Sequence, residues 1–130
     1  MSTATLKTTN EYEDIRKVLK ILNSTSEAIE ASAVMSRDGN SLTSVLDSSV
    51  NPDRLSAMYA SMLSLADSAA KELQRGELDK LLVAASKGYL LLVQVGNNAV
   101  LTLVSKPNVN LGKVFFDAKK AASHIATMLK

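Results

Sequence analysis

The chain has 130 residues, of which 46% are hydrophobic and 22% charged, with a formal net charge of +2. These values are typical of one globular domain and exclude a disordered chain or a strongly basic surface for nucleic acid. The absence of cysteine excludes disulfides and thiolate chemistry. No segment approaches the roughly 18 apolar residues of a membrane span and no targeting segment opens the chain, so we expect a cytoplasmic protein that does not insert into membranes.

The chain begins with small, polar and aperiodic residues. Residues 1–9 are therefore predicted to form a flexible tail, and residues 10–130 a single domain. Asn10 and Glu13 have the spacing of a capping box, which predicts the start of a first helix that ends near residues 23–26. Apolar residues then recur at helical spacing, which predicts the buried stripe of this helix. The stripe consists of Tyr12, Ile15, Val18, Leu19 and Leu22.

A β-hairpin is predicted to follow the first helix. Ile29–Ser36 alternates as a strand does, Asp38-Gly39 is a strong hairpin turn signal, and residues 40–46 are expected to return as the second strand. Asp38 could also suggest a metal or catalytic carboxylate. The other carboxylates of a calcium loop are missing, so we interpret Asp38 as a turn residue.

The second helix has two distinct faces. Asn51 and Pro52 predict its start and Gly76 its C-terminal cap. The face expected to cover the sheet consists of Leu55, Met58, Tyr59, Met62, Leu65, Ala66, Ala69 and Leu73. The opposite face is small and uncharged, where a solvated helix normally carries charges; it consists of Ala57, Ala60, Ser61, Ser64 and Ser68. We interpret it as a packing surface for a partner, the alternative being an ordinary solvated face.

The longest apolar part of the sequence follows. Three consecutive strands are predicted, at residues 81–86, 89–95 and 99–105, with turns at Lys87-Gly88 and Asn97-Asn98. None of the three alternates between apolar and polar residues. Strands that are apolar on both faces are buried on both faces, so we expect helices above and below the sheet.

A third helix is predicted to begin after Asn110 and to turn Phe116 and His124 away from the core. Its buried stripe consists of Leu111, Val114, Phe115, Ala118, Ala121, Ala122, Ile125, Met128 and Leu129. His124 is the only histidine, and its neighbours on this face are lysines. The sequence also has no phosphate-binding loop, dinucleotide motif or metal-ligand cluster. We therefore expect no catalytic residues, no metal, no cofactor and no enzyme activity.

The order of elements resembles a known family. The order is helix, two strands, helix, three strands, helix, with the Asp38-Gly39 and Lys87-Gly88-Tyr89 turns and Asn110-Leu111-Gly112 entering the last helix. This pattern, from Asn10 onward, is similar to the Roadblock family of dynein light chains and MglB-like small-GTPase regulators. The resemblance implies an α+β fold, a three-layer α/β/α sandwich of Roadblock/profilin-like type. In it a five-stranded antiparallel sheet carries the second helix on one face and the first and third helices on the other.

The resemblance also implies a homodimer, or a heterodimer with a relative, joined through the third strand with the second helices side by side. The sequence supplies a reason for this assembly. If the first strand pairs with the fifth, residues 81–86 form an apolar free edge, which pairing with a second copy would cover. The predicted dimer interface consists of Leu81, Leu82, Val83, Ala84, Ala85, Met58, Met62 and Leu65. The predicted partner-binding residues are Ala57, Ala60, Ser61, Ser64 and Ser68.

The function implied by the resemblance is that of a non-enzymatic dimeric module. Such a module binds a small Ras-like GTPase as a scaffold or regulator, including one that activates GTP hydrolysis through the GTPase's own residues. Two alternatives stay open: a small-molecule sensor domain, and a light-chain-like structural subunit of a motor or trafficking complex.

Overall fold

The computed structural model describes residues 2–129, and the side chains of residues 11–129. Three helices and five strands follow one another in the predicted order. Their bounds are α1 Ser2–Thr25, β1 Ile29–Ser36, β2 Ser41–Val45, α2 Pro52–Glu72, β3 Lys80–Ala85, β4 Gly88–Val95, β5 Ala99–Ser105 and α3 Leu111–Met128. The fold is the predicted α+β sandwich of three layers.

The five strands form one antiparallel sheet in the order β2-β1-β5-β4-β3. The first strand therefore pairs with the fifth, and β2 and β3 are the two edges. This is the condition on which the predicted free edge at residues 81–86 depended. The β3 strand pairs with β4 along its whole length, from Lys80 opposite Val93 to Ala85 opposite Gly88.

Helices lie on both faces of the sheet, and the two-sided burial predicted for the central strands is confirmed for β4 and β5. It is wrong for β3, where Leu82, Ala84 and Ala85 are exposed because this strand is at the edge of the sheet. On one face, which we call the α1/α3 face, α1 and α3 cover a large core that includes Ile15, Leu19, Leu101 and Ile125. On the other, the α2 face, a smaller core is formed by Met35, Tyr59, Leu63, Leu92 and Val100.

Several predicted boundaries are wrong, each for a local reason. The first helix begins at Ser2 instead of Asn10, since no glycine or proline interrupts residues 2–13. The division into a tail over residues 1–9 and a domain over residues 10–130 stays a prediction. The second helix ends at Glu72 with Leu73 as its C-cap, so Gly76 is not the cap; the chain leaves the helix through Gln74, at φ 56°.

The two central turns also differ from their predicted positions. The β3–β4 turn consists of Ser86 and Lys87, and Gly88 is already the first residue of β4. In the β4–β5 turn the positive φ, 57°, belongs to Gly96 and not to the asparagines. The predicted helix starts are confirmed: Asn51 Oδ1 accepts from the backbone N–H of Asp53, and Asn110 Oδ1 accepts from that of Lys113.

Gly88 is required by its contact with β5. Its φ is +150°, and a Cβ placed on it would lie 2.1 Å from the backbone oxygen of Ser105. Gly76 has a φ of +86°, but a Cβ there would have no described atom within 4 Å. Gly88 is therefore needed because a side chain would clash with β5, whereas Gly76 is favoured only by its positive φ.

We expect Gly88→Ala to lower the free energy of unfolding by about 3 kcal/mol or more, because β4 and β5 must move apart. The matched variant Gly76→Ala carries only the cost of a left-handed residue, about 1 kcal/mol. Urea unfolding followed by circular dichroism measures both. Equal losses for the two variants would contradict the close approach of Gly88 to Ser105.

Candidate functional site

The predicted interface residues of β3 and α2 lie on one side of the molecule. The β3 edge, defined as Leu81, Leu82, Val83, Ala84 and Ala85, is the outermost strand segment on that side. Leu81 packs into the core on the α2 face, together with Met62 of α2. The strand and the helix therefore share this core.

A row of apolar side chains runs along α2, and one member of the row, Met62, packs in the same core as Leu81 of β3. We call Met58, Met62 and Leu65 the α2 ridge; their spacing of four and three residues places them in one row of the helix. Met58 is 49% exposed and Leu65 73% exposed, whereas Met62 is half-buried. The ridge therefore presents large apolar side chains to solvent.

The position of the ridge corrects the sequence prediction for α2. Met58, Leu65, Ala69 and Leu73 were expected to cover the sheet, but all four are exposed. The residues that α2 buries are Ser56, Tyr59 and Leu63. The helix is thus rotated relative to the prediction, so that one apolar row packs on the sheet and a second stays outside.

The rotation of α2 follows from the β1–β2 hairpin. Gly39, at φ +95°, lies so close to α2 that an added Cβ would be 3.1 Å from the Ala60 Cβ and 3.4 Å from the Ala57 Cα. Small residues are needed at those two helix positions for the hairpin backbone to approach. Asp38 is a turn residue here, and its carboxylate accepts a hydrogen bond from the Ser36 hydroxyl.

The hairpin contact changes the interpretation of the small uncharged face of α2. Ala60 is half-buried and has an internal packing role, whereas Ala57, Ser61, Ser64 and Ser68 are exposed. The Ser61 hydroxyl donates to the Ala57 carbonyl, 3.3 Å away. We call Ala57, Ser61, Ser64 and Ser68 the small face; it is an uncharged outer surface about three turns long.

The two edges of the sheet are treated differently. At β2, α1 supplies side-chain donors: Arg16 Nε donates to the Ser44 carbonyl at 3.2 Å and Asn23 Nδ2 to the Val45 carbonyl at 3.3 Å. No described side chain donates to a carbonyl of β3. The backbone groups on the outer side of β3 are therefore open, which is the condition for pairing with another strand.

Asp67 holds the connection between α2 and β3. Its Oδ1 accepts from the backbone N–H of Leu78 at 3.2 Å, and its Oδ2 lies 2.9 Å from Lys71 Nζ. The hydrogen bond from Lys71, followed by that from the Leu78 N–H, lowers the pKa of the Asp67 carboxyl below its usual value of 3.8; the Arg37 charge adds to this. The contact fixes the chain at Leu78, two residues before β3 begins at Lys80.

The two residues of α3 that were predicted to point away from the core do so. Phe116, 67% exposed, and His124 both lie on the outer side of α3. Among residues 11–129 there is no group of three or more His, Asp or Glu side chains that could hold a metal. No helix within residues 2–129 is long and apolar enough to cross a bilayer.

The geometry defines a three-layer α/β/α module in which side chains of α1 donate to two carbonyls of the β2 edge strand and no described side chain donates to β3. The family model of the Roadblock/LC7 domain matches residues 15–105. The chain belongs to the Roadblock/LC7 family. Two uncharacterized proteins of Methanocaldococcus jannaschii, MJ0310 and MJ1340, are each 32% identical to it over 114 residues, which is 88% of this chain and 98% of theirs.

Solved structures share the fold. Myxococcus xanthus MglB superimposes with a TM-score of 0.82 at 19% identity, covering 92% of each chain. The gliding protein MglB of Thermus thermophilus gives 0.79 at 22% identity, covering 91% of this chain and 90% of that one. Acanthamoeba castellanii profilin II gives 0.56 at 16% identity, over 84% and 94%. These values establish the Roadblock/profilin-like architecture.

Asp67→Asn tests the anchoring carboxylate. Because its pKa is lowered in the folded protein, the carboxylate stabilises the fold above its unfolded pKa, and this stability is lost as pH falls through the folded pKa. We expect the variant to be less stable than the wild type at pH 7 and the difference to vanish well below pH 3.8. Urea unfolding of both proteins between pH 7 and pH 2.5 measures it. A difference that does not change with pH would contradict the role of the charge.

Proposed function

We propose that the chain is a non-enzymatic, dimeric, cytoplasmic Roadblock module that binds a small Ras-like GTPase. It acts as a scaffold or as a regulator, including activation of GTP hydrolysis in the partner's own active site. The dimer is a homodimer or a heterodimer with a Roadblock relative. Family membership supplies the class of partner, and the open β3 edge beside the α2 ridge is the observation that carries the assembly.

The β3 edge supports pairing between two copies. Each free backbone group on its outer side gains a partner when a second β3 lies antiparallel to it, and a two-fold axis satisfies both copies at once. Alternative protection by side chains, as Arg16 and Asn23 provide at β2, is not seen for β3 among the described residues. Strand pairing is thus the arrangement that satisfies this edge.

The α2 ridge supplies the hydrophobic part of the same interface. Met58 and Leu65 are the exposed members, and burying each would stabilise a dimer by about 1 to 2 kcal/mol on the usual area scale. Two-fold symmetry doubles the contribution. Because the ridge lies beside the β3 edge, strand pairing brings the two α2 helices together.

The small face is the proposed contact for the GTPase. Its residues carry no charge and leave room for another backbone, and the two copies in a dimer place two such faces on the same side of the joined sheet. A partner can then contact both helices. The GTPase contributes its own catalytic groups, which is why this proposal requires none in the Roadblock chain.

We expect Leu65→Asp to convert the dimer to a monomer, because a charge in the ridge would have to be buried without a partner. Leu65 is 73% exposed in the single chain, so folding should be retained. Ile21→Asp is the matched control: Ile21 is 61% exposed on α1, on the opposite face of the sheet. Light scattering at micromolar concentration gives the mass and circular dichroism the helicity. A monomeric wild type would show the proposed dimer to be wrong.

Binding is tested by titration with the small Ras-like GTPases of the same genome, loaded with GDP or a GTP analogue. We expect one of them to bind, and Ser64→Arg to weaken that binding at least tenfold, about 1.4 kcal/mol, because a large charge then occupies the small face. Ser24→Arg on α1 is the control and should bind as the wild type does. A dimer that binds no GTPase in either state would instead favour the light-chain-like subunit.

A further inference from the structure

The outer side of α3 carries an aromatic residue where a solvated helix normally carries polar ones. Phe116 is 67% exposed. At about 100° per residue, Phe116 lies at the centre of this side, with Lys119 about 60° away in one direction and Lys120 and Lys113 about 40° and 60° away in the other. We call these four residues the α3 patch. The proposed GTPase contact does not use it, because α2 lies on the other face of the sheet.

The α3 patch is basic as well as apolar. Helix α3 contains three lysines and a single acidic residue, Asp117, whose Oδ2 lies 3.2 Å from Lys113 Nζ. Lys119 and Lys120 form no ion pair with any residue that the structure describes. The part of α1 within residues 11–25 is balanced, with three basic and three acidic residues, whereas α2 has two basic and three acidic residues. The excess of positive charge on the helices is therefore on the α1/α3 face.

A second exposed apolar residue lies near the α3 patch. Ile21 of α1 is 61% exposed and lies across a shallow seam from Asp117 and Lys120. Two large apolar side chains and three lysines thus share one outer surface. In each case the apolar side chain stands among charged or small polar neighbours.

The shape of the α3 patch favours a flat partner. The patch is the outward side of a helix and is therefore convex, so it cannot enclose a peptide. A convex basic surface with an aromatic residue at its centre fits the interface of a lipid bilayer, where the ring enters the boundary between headgroups and acyl chains. The flanking lysines can lay their alkyl stems along that boundary and keep their ammonium groups beside anionic headgroups.

We propose that the α3 patch docks the protein on the surface of an anionic lipid bilayer. Phe116 enters the interface, and Lys113, Lys119 and Lys120 lie beside the lipid phosphates. The contact is peripheral, since no helix within residues 2–129 is long and apolar enough to cross a bilayer. Because α2 is on the far side of the sheet, a partner on the small face would be held at the membrane without touching it.

The inference stands on a single copy and does not depend on the proposed GTPase. If two copies pair through β3 about a two-fold axis normal to the sheet, both α3 patches face the same side. A dimer would then bind the bilayer more tightly than one copy does, because the second contact is made within the same complex.

The test is sedimentation of the protein with vesicles of phosphatidylcholine containing about 30% phosphatidylserine, at an ionic strength of about 0.1 M. We expect the wild type to sediment with these vesicles, to sediment at least fivefold less with pure phosphatidylcholine, and to be released at about 1 M salt, where the Debye length is only about 3 Å. One lysine near such a surface is worth about fivefold in affinity. Phe116→Ser, Lys119→Glu and Lys120→Glu should therefore each weaken binding at least fivefold.

Two variants on other parts of the chain are matched controls. Leu73→Ser removes an apolar side chain that is 68% exposed, as Phe116→Ser does, but beside α2. Arg54→Glu, in the first turn of α2, changes the net charge as much as Lys119→Glu does. Both should bind the vesicles within about twofold of the wild type. Circular dichroism of each variant checks that the fold is retained.

The outcomes separate this inference from the proposed function. A wild type that does not sediment with the anionic vesicles overturns the inference and assigns Phe116 to a partner other than a membrane. Equal binding to both kinds of vesicle, or binding by all three α3 variants at the wild-type level, also overturns it. The α3 variants should bind the GTPase as the wild type does, so failure of the GTPase titration leaves the lipid result unchanged.

Discussion

The open outer side of β3 is the constraint on which the structure depends. A strand in the interior of a sheet satisfies its backbone groups on both sides, whereas an edge strand satisfies them on one. At the end of β2, side chains of the same chain contribute donors, since Arg16 and Asn23 of α1 donate to the carbonyls of Ser44 and Val45. At β3 no described side chain does so. The edge is placed instead beside exposed apolar residues, an arrangement that favours a second strand over water.

The two layers of helices cover the two faces of the sheet to different extents. On the α2 face, one helix buries a small core and keeps a second apolar row, the α2 ridge, outside. On the α1/α3 face, two helices cover four of the five strands, and Leu82 of β3 remains 37% exposed. Both incomplete surfaces meet at the same edge. A second copy paired at this edge would therefore extend both surfaces.

Much of this architecture can be predicted from local sequence patterns. Element order, the two-sided burial of β4 and β5, and the N-caps Asn51 and Asn110 depend on residues close in sequence, and the structure confirms them. The orientation of α2 could not be found this way. Leu63 and Leu65 are both apolar, and the sequence does not show which of them faces the sheet. Leu63 does so because Gly39 of the β1–β2 hairpin packs against α2 and fixes its rotation.

The same limit applies to the edges and turns. The sequence predicts Gly88 as a turn residue. In the structure a glycine is needed there because any side chain would clash with the carbonyl of Ser105 in β5. The protection of β2 by Arg16 spans 28 residues and has no local signature. Of the residues predicted for the dimer interface, Leu81 of β3 and Met62 of α2 pack in one core. Their role in assembly stays a prediction.

Amide hydrogen exchange of β3 as a function of protein concentration tests the central claim most directly. Alternate amides of an edge strand point away from its neighbour, so in a single chain they exchange quickly. If a second copy covers the edge, these amides become protected as concentration rises through the dimer dissociation constant, while the exchange of β2 amides does not change. Rapid exchange of the outer β3 amides at every concentration would contradict the account.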